Sequence, residues 1–200
     1  MNGFSAYDDR GWGDTAPDDT APDDRAPDDR APGGKGGSGK ISGSKPGLYE
    51  DLAGQIDGLL TGETDFTANL ANAAAAIFHA LPSLNWAGFY LARGEELVLG
   101  PFQGKPACVR IAMGKGVCGT AARRRRSVLV PDVHAFPGHI ACDSASQSEL
   151  VVPLIRDDGI LVGVLDLDSP MLARFDVEDQ AGCEALVAII LRHLGGAQPV

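Results

Sequence analysis

The stretch His139-Ile140-Ala141-Cys142-Asp143-Ser144-Ala145-Ser146-Gln147-Ser148-Glu149 sets a thiol in a polar loop of small residues, seven positions ahead of a carboxylate. A Pro/Gly-marked segment, Pro131 to Gly138, precedes it. A continuous apolar run, Leu150-Val151-Val152-Pro153-Leu154-Ile155, follows. A cysteine in such a loop is poorly explained as core filling, and Glu149 opens what reads as a strand. Cys108 and Cys118 lie upstream in glycine-punctuated segments. Three cysteines able to converge with acidic residues point to thiol chemistry.

Cys118 falls at the predicted N-terminus of a helix, where unpaired N–H groups favour a thiolate and lower its pKa from about 8.5. Nothing local activates Cys108. Asp166 and Asp168 are two apart on an apolar strand. If their face is inward they need a cation, because unpaired buried charge is expensive, and if it is outward they are a solvated face. Strand period puts Trp86 and Tyr90 on one face, with Gly88 between them leaving open space above the backbone. That pair reads as core or as a ligand wall. Cysteine spacings of ten and twenty-four lack the close pairs of structural zinc motifs, so neither metal nor cofactor is expected. The Gly-x-Ser-x-Gly elbow of hydrolases is absent from the sequence.

The elements that must position these groups follow from periodicity. Leu48, Leu52, Ile56, Leu59 and Leu60 are spaced as one face of a helix, and Thr67 to Leu81 predicts a second, stopped before Pro82. Its His79 has no partner in the pattern and reads as structural or surface. Strands are predicted at Asn85–Ala92, Glu96–Phe102, Cys108–Ala112, Ser127–Val130, Glu149–Ile155 and Ile160–Asp168. Arg93-Gly94-Glu95 and Asp157-Asp158-Gly159 supply the hairpins. Val117 to Arg126 reads as a short helix. A last helix, Val177 to Leu194, is capped by Asp176, with Val177, Ala181, Val187, Ile190 and Leu194 on its buried face and Cys183 packed in the core. This is an α+β plan, a central antiparallel sheet covered by helices.

Residues 1–46 are a different kind of sequence. The repeat Ala16-Pro17-Asp18-Asp19-Thr20, Ala21-Pro22-Asp23-Asp24-Arg25, Ala26-Pro27-Asp28-Asp29-Arg30 blocks a helix with proline and offers almost nothing to bury, so a disordered tail is expected. Residues 47–196 form the expected domain, roughly 150 residues, enough to bury about 68–70% of the unfolded surface. A net charge of −10 and a pI of about 4.7 argue against nucleic acid and anionic membrane as partners. The one basic run, Arg123 to Arg126, reads as a solvated helix end. The Asp-rich first thirty residues lack the apolar core of a signal peptide, and no membrane span is expected. The expected location is therefore the reducing cytoplasm, where cysteines are more often catalytic than structural.

Asn85-Trp86-Ala87-Gly88-Phe89-Tyr90, Gly114-Lys115-Gly116-Val117-Cys118-Gly119-Thr120-Ala121-Ala122, Ala141-Cys142-Asp143 through Glu149-Leu150-Val151-Val152-Pro153, and Gly163-Val164-Leu165-Asp166-Leu167-Asp168 occur in order. Together they resemble the free methionine-(R)-sulfoxide reductases, a GAF-domain family, from about Leu48 to Leu194. The tail and the four arginines lie outside the resemblance. It implies a GAF-like fold and reduction of free methionine-(R)-sulfoxide. Cys142 matches the nucleophile that becomes a sulfenic acid, and Cys108 the resolving cysteine that forms a disulfide with it. Cys118 matches a third cysteine that can take part in recycling by a thioredoxin-type reductant. Glu149, Asp166 and Asp168 match substrate-binding carboxylates and so should face inward. Trp86 and Tyr90 match an aromatic wall. The family commonly pairs its subunits, and a homodimer is compatible with the sequence. The alternative is a non-catalytic GAF sensory module, which would need no redox cysteines and would normally carry an output domain, expected to be absent here.

Overall fold

The computed structural model describes residues 44–140 and 143–194. The chain divides into two units, Met1–Ser38 and Gly39–Val200, and all described residues belong to the second. Its elements run α1 (Lys45–Leu60), α2 (Phe66–Ala80), β1 (Trp86–Arg93), β2 (Glu96–Gly104), β3 (Arg110–Ala112), α3 (Gly116–Arg124), β4 (Val128–Val130), a 3-10 turn (Val133–Ala135), β5 (Ser148–Ile155), β6 (Leu161–Ser169) and α4 (Val177–His193). The strands form one antiparallel sheet in the order β3-β2-β1-β6-β5-β4. This is the predicted α+β plan, a GAF fold. Among the described residues, no helix is long and apolar enough to cross a membrane.

Strand alternation divides the sheet's side chains between two cores. On one face Ala87 and Phe89 of β1, Leu150, Val152 and Leu154 of β5, and Leu165 and Leu167 of β6 pack against α1, α2 and α4. Each fully buried Leu or Phe there contributes about 1.5–3 kcal/mol relative to exposure. The opposite face carries Trp86, Tyr90, Val151 and Val164, covered by Val117, Cys118, Ala121 and Ala122 of α3 together with Ile111 and Val133. The question of whether Asp166 and Asp168 point in or out thus has an answer that period two cannot supply. They point away from the large helical core, yet the face they occupy is itself covered.

The helices begin and end for local reasons. Asp65 caps α2 by accepting from the Ala68 amide at 2.7 Å, and Asp176 caps α4 in a reciprocal box with Asp179. α1 starts three residues ahead of the predicted Leu48: Lys45 and Pro46 are in its first turn, where proline's missing N–H costs nothing. Lys45 also reaches α4, with Nζ 2.6 Å from Asp176 and 2.7 Å from Asp179. The remainder of the predicted tail, residues 1–43, lies outside the described residues. α3 ends at Arg124, with Arg125 left-handed at φ 54°, so the arginine run is the exposed helix end that was predicted.

The buried face expected for α4 is corrected at two positions. Val177 is 77% exposed and Ala181 is exposed. The buried stripe instead runs through Asp179, Cys183, Leu186, Val187 and Ile190. It is pinned by Asp179, which accepts from Tyr49 Oη at 3.0 Å and from Arg174 at 3.2 Å, and that rotation turns Val177 and Ala181 to solvent. Cys183 is fully buried, as predicted, and burial pushes its thiol up to about 12.

Candidate active site

Register assembles the site from three neighbouring strands. Trp86 of β1 faces Asp168 of β6, and Gly88 faces Asp166. Glu149 of β5 also faces Asp168, and Val151 faces Asp166. Directly paired residues share a face, so Trp86, Glu149, Asp166 and Asp168 converge on the α3 side of the sheet. They border a solvent-open concavity that Tyr90, Cys118 and His139 also line.

The aromatic wall is built around Gly88, and here a predicted feature is wrong. The space above that glycine is filled. An added Cβ would collide with Phe102 and lie 2.7 Å from the Trp86 ring. The missing side chain lets the indole lie along its own strand, stacked at 5.3 Å on Phe102 and at 5.9 Å on Tyr90. Trp86 Nε1 donates to the Lys105 carbonyl at 3.2 Å, and Tyr90 Oη donates to the Cys108 carbonyl at 3.0 Å. Both polar handles therefore hold the β2–β3 loop against the wall.

That loop is clasped to the loop before β5. Lys105 Nζ lies 3.2 Å from Asp143 Oδ2, and Asn85 Nδ2 donates to Asp143 at 3.3 Å and to Ser146 Oγ at 3.0 Å. The Ala145 amide, with Lys105 and Asn85, holds the Asp143 carboxyl below its ordinary value. Gln147 N donates to the Ser169 carbonyl at 2.7 Å, fixing the end of the loop to β6.

Three carboxylates lie beneath. Glu149 and Asp166 are buried, and Asp168 is partly exposed. Desolvation, then the charges of Asp166 and Asp168, raise Glu149 well above the carboxylate range. Desolvation and Asp166 do the same to Asp168, and desolvation brings Asp166 to about 6. Among the described residues no lysine or arginine pairs with any of the three. The nearest ion-pair partner is His139, whose Nε2 is 3.7 Å from Glu149 Oε2. Burial and His134 lower the pKa of that imidazole, so it is neutral at pH 7. Asp166 Oδ1 is buried and accepts no hydrogen bond among the described residues.

Cys118 departs from its predicted character. It does sit in the first turn of α3, but burial, Asp166 and Glu149 raise its thiol well above the ordinary value. Desolvation and adjacent anions outweigh the helix N-terminus, so the group is a neutral thiol that donates to Glu149 Oε1 at 3.9 Å. Its Sγ and oxygens of Glu149 and Asp166 all lie within 4.8 Å of one another, a set that could hold a metal ion. The spacing rule against zinc had no view of it, because the ligands come from α3, β5 and β6.

The fold thus brings together Trp86, Tyr90, Cys118, Glu149, Asp166 and Asp168. Cys108 is placed beside the cavity, in the loop that Tyr90 anchors, and is half-buried. Cys142 lies outside the described residues. The sequence reading passed over Asn85, Lys105, His139, Asp143 and Ser146 as site residues. Four of the five were visible inside or adjoining the motifs that carry the resemblance.

A GAF domain with a thiol and three carboxylates under an aromatic wall is the class that fold and site define, and residues 67–192 match the GAF domain family. The chain is 52% identical to the free methionine-R-sulfoxide reductase of Escherichia coli over 145 residues, 72% of this chain and 87% of that protein. The solved structure of the Neisseria meningitidis free methionine-R-sulfoxide reductase, in complex with its substrate, superposes with a TM-score of 0.72 at 47% identity, covering 76% of this chain and 90% of that one. A candidate GAF sensor protein from Burkholderia vietnamiensis does so with a TM-score of 0.73 at 61% identity, covering 75% and 95%. The chain belongs to the GAF-domain family of free methionine-(R)-sulfoxide reductases.

Proposed function

We propose that this protein reduces free L-methionine-(R)-sulfoxide to methionine in the cytoplasm, with residues 47–196 as the catalytic domain. The observation that carries the reading is the trio Glu149, Asp166 and Asp168, without a lysine or arginine partner among the described residues and set below Trp86 and Tyr90. Ionising buried carboxyls is costly until a cation arrives, and the α-ammonium of a free amino acid is such a cation. A methionine within a polypeptide has an amide there instead, so the same groups exclude it. The stacked rings suit the thioether and its methyl group.

The cysteine roles follow the family. The thiolate of Cys142 attacks the sulfoxide sulfur and forms an S–S bond, and the protonated oxygen leaves that sulfur as water. Water then attacks Cys142 Sγ, breaking the S–S bond so that Cys142 becomes a sulfenic acid and methionine leaves. Protonation of the sulfoxide oxygen makes it a leaving group, and the raised pKa of Glu149 suits it to supply that proton. Cys108 then attacks the sulfenic acid, forming a disulfide and releasing water. A thioredoxin-type reductant supplies the two electrons that restore both thiols. Cys118, a neutral thiol bonded to Glu149, positions that acid and is a secondary participant in recycling. No bound cofactor is required, and a homodimer is the assembly that the family favours.

Turnover of free methionine-(R)-sulfoxide tests this, against the S epimer and the N-acetylated R epimer. Strong preference for the unmodified R form is expected, and comparable rates on the N-acetyl compound would refute ammonium recognition. With reductant withheld, Cys108→Ser should release one methionine per chain and Cys142→Ser none. Binding of the sulfoxide without any turnover would instead establish the sensory module suggested by the likeness to a candidate sensor.

A further inference from the structure

The cluster that the proposed reading assigns to an ammonium has a second capacity, and this inference rests on that reading for the site's location. Its donors are not all oxygen. Cys118 Sγ lies 3.9 Å from Glu149 Oε1, and with an Asp166 oxygen the three donor atoms fall within 4.8 Å of one another, all buried. A tetrahedral zinc ion holds sulfur at about 2.3 Å and carboxylate oxygen at about 2.0–2.2 Å, which makes the donor-to-donor edge about 3.5 Å. Contraction by little more than about 1 Å along the longest edge would close the cage. Asp166 Oδ1 supplies an independent sign of a missing ligand, as a buried acceptor that no described group satisfies. The fourth position opens on the cavity, where a water or His139, 3.7 Å from the other Glu149 oxygen, can complete the shell.

We propose that Cys118, Glu149 and Asp166 form an inhibitory site for a thiophilic divalent cation of the zinc class, occupied in mutual exclusion with the amino-acid substrate. Binding exchanges the Cys118 thiol proton for a sulfur–metal bond, with no change of oxidation state. One thiolate and two carboxylates carry three negative charges toward the ion, and the sulfur selects against magnesium and calcium, which demand oxygen shells. The cation takes the place that the ammonium would occupy, so the two ligands compete.

Cadmium, which reports a thiolate bond by ultraviolet charge-transfer absorption, is the probe. It is titrated into the reduced full-length Cys108→Ser/Cys142→Ser chain, leaving Cys118 and Cys183 as its thiols. The expected result is a charge-transfer band saturating at one ion per chain, displaced by zinc and by free methionine-(R)-sulfoxide but not by magnesium. Adding Cys183→Ser should keep the band, and adding either Cys118→Ser or Cys118→Ala should abolish it in a chain that still melts cooperatively. Asp166→Asn should weaken cadmium by at least about tenfold. Absence of the band, its survival in both Cys118 variants, or its indifference to the sulfoxide overturns the proposal. The band in the Cys108→Ser/Cys142→Ser chain, together with no reductase activity in the unsubstituted chain, upholds the metal site and refutes the proposed activity. A reductase without the band does the reverse.

Discussion

Replacing Asp166 by asparagine should stabilise the empty protein at alkaline pH while impairing its function. Asp166 is 6% exposed, and its folded-state pKa is raised from 3.8 to about 6. At about 1.36 kcal/mol per pKa unit, ionising it in the folded state costs about 3 kcal/mol relative to the unfolded chain. Because the folded pKa is the higher one, the native state holds the proton more tightly. Its stability is intact below pH 3.8 and is lost as pH rises through 6. By pH 5 the unfolded carboxyl is already ionised and about half the loss has occurred; by pH 8 it is complete.

Asparagine keeps the shape and removes the charge. The gain from Asp166→Asn should therefore reach about 3 kcal/mol at pH 8 as an upper bound, and shrink by about 1.5 kcal/mol at pH 5. Part of the absolute gain is offset by burying an amide, but that cost is the same at both pH values, so the difference is the sharper quantity. Urea unfolding of both proteins under reducing conditions at pH 5, 6.5 and 8 measures it. A gain of about 2 kcal/mol corresponds to about 4–8 °C in melting temperature. A stability difference flat to within about 0.5 kcal/mol across that range, or of opposite sign at pH 8, would refute the account of a protonated, cation-seeking cluster.

Gly88→Ala should cost about 1–3 kcal/mol by overpacking and raise KM for the sulfoxide, since the new methyl meets Phe102 and the Trp86 ring; calorimetry with steady-state kinetics decides it. Asp179→Ala should cost about 3–5 kcal/mol in urea unfolding at pH 7, because it strips a buried acceptor from Tyr49, leaves Arg174 without its anion and removes one of the two that Lys45 pairs with. Deleting residues 1–43 should leave melting temperature and turnover nearly unchanged. Extending the deletion through Pro46 should lower the melting temperature, because it removes Lys45 and its contacts to Asp176 and Asp179. Equal melting of the two truncations would show that this ion pair is solvent-screened to no effect.

Much of this protein was legible in its sequence, because the relevant signals are local. Period-two alternation placed Trp86 with Tyr90 and Asp166 with Asp168, the Asp157-Asp158-Gly159 hairpin fixed β5 beside β6, and Asp176 marked the start of α4. The motifs that carry the family resemblance contain most of the residues lining the cavity. What escaped were consequences of distance and dielectric. Alternation says which residues share a face but not that a second layer covers it, so only the packing of α3 buries Glu149 and Asp166. The left-over first turn of a helix suggested an activated Cys118, whereas the carboxylates brought to it from two strands raise its pKa instead. An empty site at Gly88 was inferred from a missing side chain, and the Trp86 indole filled it because a neighbouring strand supplies Phe102 to stack on. Sequence spacing judged the cysteines against metal motifs built from close pairs, while α3, β5 and β6 bring a thiol and two carboxylates together from positions 118, 149 and 166. Local chemistry sets the elements and their faces; the charge state of each group depends on which other charges share its low-dielectric surroundings, and only the closed fold decides that.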